Sequence, residues 1–328
     1  MLRLAARLFA FLSGLAIIAA AGVGFLVWMY KAPGPLTEDA TVLIPPGAGM
    51  TTITAQLKRA GVIEEDWLFQ SAARITGQDR DLRAGEYLFP AGISIEQALS
   101  LLAEGRSIAY ALTVPEGLTS HAVVALIAQE ERLTGEIESV PPEGSLLPET
   151  YRFQRGDTRS GMVDRMRADM DATLQQLWEA RADGLPFDTP RQALILASIV
   201  EKETGVPEER SLIAGVFVNR LERGMRLETD PTVIYALTRG RAPLGRALTT
   251  DDLDVASPYN TYRIDGLPPG PICNPGRAAI EATLHPEQTD FLFFVADGTG
   301  GHAFARTLEE HRRNAAEWHR LQREGRSE

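Results

Sequence analysis

Cysteine is almost absent from this chain. A single residue, Cys273, stands in 328, so no disulfide can form within one copy. Between Pro271 and Pro275 it reads as a small buried side chain rather than a nucleophile. Histidine is also scarce. The five residues, at 121, 285, 302, 311 and 319, are dispersed, and neither an HExxH pair nor a Cys/His cluster is present to hold a catalytic metal. There is no basic excess: 33 Lys and Arg face 44 Asp and Glu, a net charge of -11, which argues against a nucleic-acid partner. A GxSxG elbow, a P-loop and a dinucleotide glycine fingerprint are missing as well. The glycine-rich turn at 298–301 lies between two strand-like runs rather than ahead of a helix. Neither a metal nor any other cofactor is expected.

What is present is an ordinary globular composition, 44% hydrophobic and 23% charged, in a chain long enough for two or more domains. The run from Leu8 to Tyr30 (residues 8–30) is uncharged, and about 20 apolar residues suffice to span a bilayer. Arg3 and Arg7 precede it; Phe25, Trp28 and Tyr30 cluster at its far end like an interfacial aromatic belt. Ala19-Ala20-Ala21 resembles a signal cleavage site, but the apolar run continues well beyond the ~7–15 residues of a signal core. The expectation is an uncleaved single-pass anchor with residues 1–7 in the cytoplasm and the rest outside.

Residues 31–39 read as a short Pro/Gly linker. Residues 40–107 then give a strand at 41–45, helices at 51–60 and 66–76, a strand at 82–89 and a helix at 93–104. A strand, two helices and a strand in about fifty residues is the shape of a small LysM-like αβ module, which on fold analogy alone is a glycan binder or a spacer. Residues 108–160 read as a connecting subdomain with a strand at 108–116 and a helix at 121–130. Residues 161–328 form the last domain, opening on a helix at 162–180 whose Met162, Met166, Met170 and Leu174 are core spacing rather than chemistry.

Its organising stretch is 188–205. Thr189 can cap, Pro190 suits the first helical position, and Gln192 completes a capping box. Gly205 and Pro207 mark the end. From Ala193 to Val200 only Ser198 is polar, so this helix is buried on most faces. Glu201 and Glu203 sit in its last turn, roughly 200° apart, and cannot form a close carboxylate pair. The negative helix end and apolar neighbours both push a carboxyl pKa up, as a general acid near neutral pH requires. Residue logic does not decide between the two glutamates. Carboxylate chemistry outside a membrane is chiefly glycoside cleavage.

Further on, a helix at 207–224 and a short one from Thr229-Asp230-Pro231 to Leu237 lead into a Gly/Pro-rich loop, 239–272. Long ordered loops tend to carry function. Asn219, Tyr235, Tyr259, Asn260, Thr261 and Tyr262 have the donors and flat faces of a sugar groove. The same residue types also serve as caps and core. Asp230 reads as a helix cap, with a place near an oxocarbenium-like transition state as the outside option. A helix at 274–284, strands at 290–297 and 302–305, and a Thr307/Glu310 capping box before a polar helix complete the chain.

Glu201-Lys202-Glu203-Thr204, Val216-Phe217-Val218-Asn219-Arg220-Leu221, Leu227 to Tyr235, Tyr259-Asn260-Thr261-Tyr262, Gly266 to Ile272 and Phe294-Val295-Ala296-Asp297-Gly298 occur in an order that resembles the YceG-like family of endolytic murein transglycosylases. Glu228 stands where relatives often carry Gln or Ser, and Glu149-Thr150-Tyr151 resembles a Pro-Asp-Thr-Tyr segment of the family with Glu for Asp. The resemblance implies an α+β chain: a transmembrane helix, a LysM-like module and a C-terminal mixed α/β catalytic domain with a lytic-transglycosylase-like active-site helix. It implies a lyase at the inner membrane that cuts peptidoglycan glycan strands between N-acetylmuramic acid and N-acetylglucosamine, leaving 1,6-anhydromuramyl ends. By motif match Glu203 is the catalytic residue, protonating the glycosidic oxygen and then taking the proton of the muramyl 6-hydroxyl. Penicillin-binding proteins are implied as neighbours. A non-catalytic glycan-binding scaffold and a hydrolase using Asp230 are the alternatives.

Overall fold

Helix α1 (Leu2–Lys31) opens the chain in the computed structural model, which describes residues 2–324. Met1, part of the expected cytoplasmic segment, and 325–328, the end of the expected catalytic domain, lie outside the described residues. The stretch Ala6–Lys31 is long and apolar enough to cross a membrane: its 26 residues, at ~1.5 Å each, reach about 39 Å. Phe9, Ile17, Val23 and Trp28 are exposed, which suits a helix surrounded by lipid.

The described chain divides into two compact units, one running to Tyr110 and including Arg152–Asp157, the other comprising Ala111–Tyr151 and the residues from Thr158 on. Residues 108–160, read as one connecting subdomain, therefore fall into both.

In the first unit, β1 (Ala40–Ile44), α2 (Met50–Arg59), α3 (Asp66–Ile75), β2 (Gly85–Phe89) and α4 (Ile95–Glu104) follow the expected order. β1 and β2 pair antiparallel with Val42 opposite Tyr87. Alternation along both strands turns Val42, Ile44, Tyr87 and Phe89 into a core with Leu57, Phe69 and Leu99. The supposed linker is part of this unit. Leu36 joins the core, Gly34 N–H donates to Gly92 O at 3.2 Å, and Gly92 N–H donates to Leu36 O at 2.8 Å. A Cβ on Gly34 would lie 2.3 Å from the Ile93 carbonyl oxygen, so only glycine permits this approach. The Pro and Gly content that suggests a free linker instead serves close packing.

β3 (Ala109–Thr113) pairs with a strand the sequence did not announce, β4 (Thr150–Gln154), and the chain passes between units within these strands. β4 is short, and only Tyr151 and Phe153 are buried in it, too few to stand out as a pattern. Between them lies α5 (Ser120–Ala128); after them come α6 (Arg159–Glu179), α7 (Pro190–Glu203), α8 (Arg210–Glu222), α9 (Asp230–Thr238), α10 (Arg277–Leu284), the hairpin β5 (Phe293–Ala296) and β6 (His302–Ala305), and α11 (Leu308–Glu324). α7 is the axis of this second unit. Ala193 to Val200 are all buried, in a core with Ile213, Phe217, Ile272, Ile280 and Leu284 from α8, the loop before α10, and α10. Its capping box is formed: Gln192 N–H donates to Thr189 Oγ1 at 3.3 Å and Gln192 Oε1 accepts from Thr189 N–H at 3.1 Å. Ser198, buried among apolar residues, is satisfied by donating to Ile195 O at 2.7 Å and accepting from Ile272 N–H at 3.0 Å.

Candidate active site

α7 ends without the expected glycine cap. Thr204 leaves the helix in extended backbone, and its hydroxyl accepts from Val206 N–H at 2.9 Å; Gly205 does not adopt a positive φ. The two terminal glutamates, roughly 200° apart on the helix, point to different surroundings. Glu201 Oε2 accepts from Gly276 N–H at 2.9 Å, tying α7 to the start of α10. Glu203 instead faces a pocket of about 430 Å³ lined by Arg220, Glu228, Asp230, Tyr262, Phe294 and His302 among others.

Each wall has a local cause. Arg220, on α8, is buried and spends its guanidinium on backbone: Nε donates to Leu292 O at 2.6 Å, and Nη1 donates to Arg226 O at 3.1 Å and Leu227 O at 3.0 Å. The same Nη1 reaches Glu228 Oε2 at 3.4 Å. Glu228 has φ +50°, an uncommon backbone for a non-glycine residue, and such strain gathers at functional sites. Thr229 occupies the N-cap of α9 but makes no cap bond, and Asp230 stands one residue further on, in the first turn. Tyr262 O–H donates to Asp230 Oδ1 at 2.7 Å, so Asp230 is held on the pocket wall by a residue from the long loop. The cap reading fails because Asp230 is the first residue of the helix and the N-cap position falls on Thr229.

The remaining candidates divide. Asn260 donates to Leu253 O at 2.8 Å and Val255 O at 2.9 Å, and accepts from Tyr262 N–H at 3.0 Å. Thr261 Oγ1 accepts from Thr229 N–H at 3.0 Å and meets Thr232 Oγ1 at 2.8 Å. Both are fully buried and brace the loop that presents Tyr262 and Asp230. Asn219 donates to Thr289 O at 2.7 Å and Phe291 O at 3.0 Å and lines a different cavity. Tyr235 and Tyr259 pack ring to ring at 4.8 Å. Tyr235 lines a separate, largely apolar cavity of about 390 Å³ with Lys202, Pro231 and Arg241.

His302 carries no signal in the sequence, where the histidines are scattered. At the start of β6 it stands on the pocket wall, and its Nδ1 lies 2.7 Å from Glu209 Oε2. Glu209 Oε1 also accepts from His302 N–H at 2.9 Å. A Cβ on Gly301 would come within 2.7 Å of that oxygen, so glycine lets the carboxylate in. The partners are 93 residues apart, with no local signal linking them.

Glu203 is partly exposed at the pocket yet enclosed by protein. That enclosure, with the nearby Asp230 charge, pushes its pKa up to about 7; the Thr229 hydroxyl, His302 and Arg220 pull in the other direction. Thr229 lies near enough to favour the carboxylate without making an aligned hydrogen bond. Burial also raises the Tyr262 phenol, helped by its bond to Asp230, and lowers the Arg220 guanidinium. Glu201 is raised by burial too, but it is bound to the Gly276 amide and absent from the pocket. An acid half-protonated near neutrality, facing a pocket with an ionisable partner, can deliver a proton to a bound substrate.

Comparison with known proteins fits this arrangement. The sequence model of the YceG-like family matches residues 42–317. A protein of Streptococcus pneumoniae serotype 2 named endolytic murein transglycosylase is 32% identical across 94% of this chain and 64% of its own length. A Bacillus subtilis protein of the same name is 32% identical across 84% of this chain and 85% of its own. The chain thus spans 64% of the pneumococcal relative. The crystal structure of a YceG-like protein from Listeria monocytogenes superposes with a TM-score of 0.52, at 32% identity, across 84% of this chain and 99% of that one. The chain belongs to the YceG-like family.

Proposed function

We propose that this chain is a membrane-anchored endolytic lytic transglycosylase of peptidoglycan, cleaving the bond between N-acetylmuramic acid and N-acetylglucosamine to leave 1,6-anhydromuramyl ends. The observation that carries the reading is Glu203: a carboxylic acid with its pKa raised to about 7 in a pocket otherwise lined by Asp230, Tyr262, Arg220 and aromatic rings. The names of the relatives agree with it.

Glu203 protonates the glycosidic oxygen as the C1–O bond breaks. Asp230, oriented by Tyr262, faces the sugar and stabilises positive charge growing at C1. The muramyl 6-hydroxyl closes onto C1, so no water is consumed. In the single-carboxylate scheme the Glu203 carboxylate then accepts the hydroxyl proton. Asn219, Asn260 and Thr261 belong to the frame; Tyr235 and Tyr259 lie beyond the reacting bond. We further place α1 across the inner membrane with the N-terminus in the cytoplasm, read the first unit as a LysM-like module, and name penicillin-binding proteins as partners. Failure to crosslink any such protein in cells counts against the last assignment.

One observation favours a second reading. Asp230 shares the pocket with Glu203, and a carboxylate there could activate water for hydrolysis. Mass spectrometry of peptidoglycan digested by the detergent-solubilised full chain separates them. Anhydromuramyl ends from wild type, absent with Glu203→Gln, are the expected result. Reducing muramic ends would transfer the case to hydrolysis, and no cleavage would leave a glycan-binding scaffold.

A further inference from the structure

The pocket holds a carboxylate–imidazole pair that the single-glutamate scheme leaves idle. Glu209 receives two donors from one residue, the backbone N–H of His302 at 2.9 Å and the ring Nδ1 at 2.7 Å. A carboxylate can only accept, so Nδ1 carries a proton, and in its neutral form the ring then keeps its lone pair on Nε2. Among the described residues Nε2 has no hydrogen-bond partner, although the ring lines the Glu203 pocket. Phe294, edge-on to the imidazole at 5.4 Å, helps to fix its plane.

We propose that His302 is the general base of the ring-closing step, with Glu209 as its positioning residue. The inference rests on the lytic reading above. Its logic is that of a carboxylate–histidine–hydroxyl triad in which the hydroxyl belongs to the substrate. Glu203 gives its proton to the leaving oxygen as the glycosidic bond breaks. The 6-hydroxyl oxygen forms its bond to C1 and passes its proton to His302 Nε2. The imidazolium then returns that proton to the Glu203 carboxylate, restoring both groups. One C–O bond is broken, one is made, and no proton is gained or lost. The cation formed on His302 arises beside Glu209 and in the company of Asp230, Glu228 and the newly ionised Glu203, which stabilise it; Arg220, the opposing charge, is already bound to Glu228 and backbone carbonyls.

The test uses the full chain in detergent and follows anhydromuramyl ends with wild type, His302→Leu, His302→Gln, Glu209→Gln and the Glu209→Gln/His302→Leu double variant. A glutamine in place of His302 keeps a hydrogen-bonding atom near Nε2 but cannot take up a proton. A base role therefore predicts that both His302 variants lose about 100-fold or more in kcat, with KM within a few-fold. An amide in place of the Glu209 carboxylate has a single acceptor oxygen and cannot serve both donors at once, so Glu209→Gln lowers kcat as well. Because it acts through His302, it adds nothing to His302→Leu in the double variant. Thermal unfolding of His302→Gln within a few degrees of wild type separates this from loss of fold. Near-normal kcat in His302→Gln beside an inactive His302→Leu would reduce the imidazole to a sugar contact and overturn the base assignment. Normal kcat in both overturns it outright. Reducing ends from wild type overturn this inference together with the lytic reading, whereas anhydro ends with an unaffected His302→Gln overturn this inference alone.

Discussion

Tyr262 donates its hydroxyl to Asp230 at 2.7 Å across 32 residues of sequence, on the wall that faces Glu203. The bond joins the long loop to the first turn of α9, where the helix dipole also favours the Asp230 negative charge. Tyr262→Phe keeps the ring and removes the donor. Asp230 is then free to rotate out of line, and kcat/KM for anhydro-end release falls by about 10-fold, the worth of one well-placed hydrogen bond to a charged group. Stability changes little, since the site opens to solvent. A rate within twofold of wild type would remove the pair from the mechanism.

Glu203 sets a pH dependence with a definite sign. Its folded pKa, about 7, is raised above its ordinary 4.5, chiefly by burial. Between those values the folded chain keeps a proton that the unfolded chain has released, so stability declines as pH rises through that window and levels off above it. The full shift corresponds to about 3 kcal/mol, and partial exposure brings the expected loss to about 2. Glu203→Gln removes this loss. By calorimetry the variant melts with wild type near pH 4.5 and several degrees above it at pH 8. Wild-type kcat/KM falls above about pH 7 as the acid ionises. Parallel stability curves for the two proteins, with no divergence toward pH 8, would mean that Glu203 is not held protonated.

The two glutamates of the last turn of α7 separate cleanly by substitution. A glutamine in place of Glu201 still offers an oxygen to Gly276 N–H, 2.9 Å away in wild type. Glu201→Gln therefore keeps at least half of the activity and almost all of the stability. Glu201→Ala leaves the amide without its partner and costs about 1–2 kcal/mol, read in chemical denaturation. Glu203→Gln loses activity by a factor of about 100 to 10,000, the usual worth of a general acid. An inactive Glu201→Gln beside an active Glu203→Gln would reverse the assignment.

Much of this is legible in the amino-acid sequence. The Thr189–Gln192 capping box, Pro190 and the apolar run to Val200 define α7 locally, because capping and burial are encoded in neighbouring residues. The strand–helix–helix–strand order of the first unit was readable for the same reason. The site was only partly so. Asn219, Asn260 and Thr261 have the donors of a sugar groove, yet the structure puts those donors on backbone carbonyls and a buried hydroxyl, a difference that residue type cannot express. Residues 31–39 read as a short linker by composition, while Gly34, where a Cβ would lie 2.3 Å from the Ile93 carbonyl oxygen, permits the close approach that packs them down. Glu209 and His302 meet from 93 residues apart, Tyr262 and Asp230 from 32, and no periodicity connects such pairs.

Arg220 offers the sharpest test of how the pocket is held. Its buried guanidinium serves three carbonyls, Leu292, Arg226 and Leu227, and lies 5.0 Å over the Phe293 ring. Those contacts join α8 to the entry of β5 and to the turn carrying Glu228. A lysine has one compact ammonium on a flexible stem and cannot reproduce a planar fork aimed in two directions. Arg220→Lys leaves at least one buried carbonyl unpaired and costs about 2–4 kcal/mol in urea denaturation. The released turn lets Glu228 and Asp230 drift, so kcat falls more than stability alone explains at temperatures where the variant is fully folded. Arg220→Met removes the charge altogether and takes away one of the groups that favour the Glu203 carboxylate against the Asp230 charge. Its Glu203 pKa therefore moves further up, and the alkaline fall in kcat/KM shifts to higher pH. A variant folded at the assay temperature with an unshifted alkaline limb would show that Arg220 braces the pocket without setting its electrostatics.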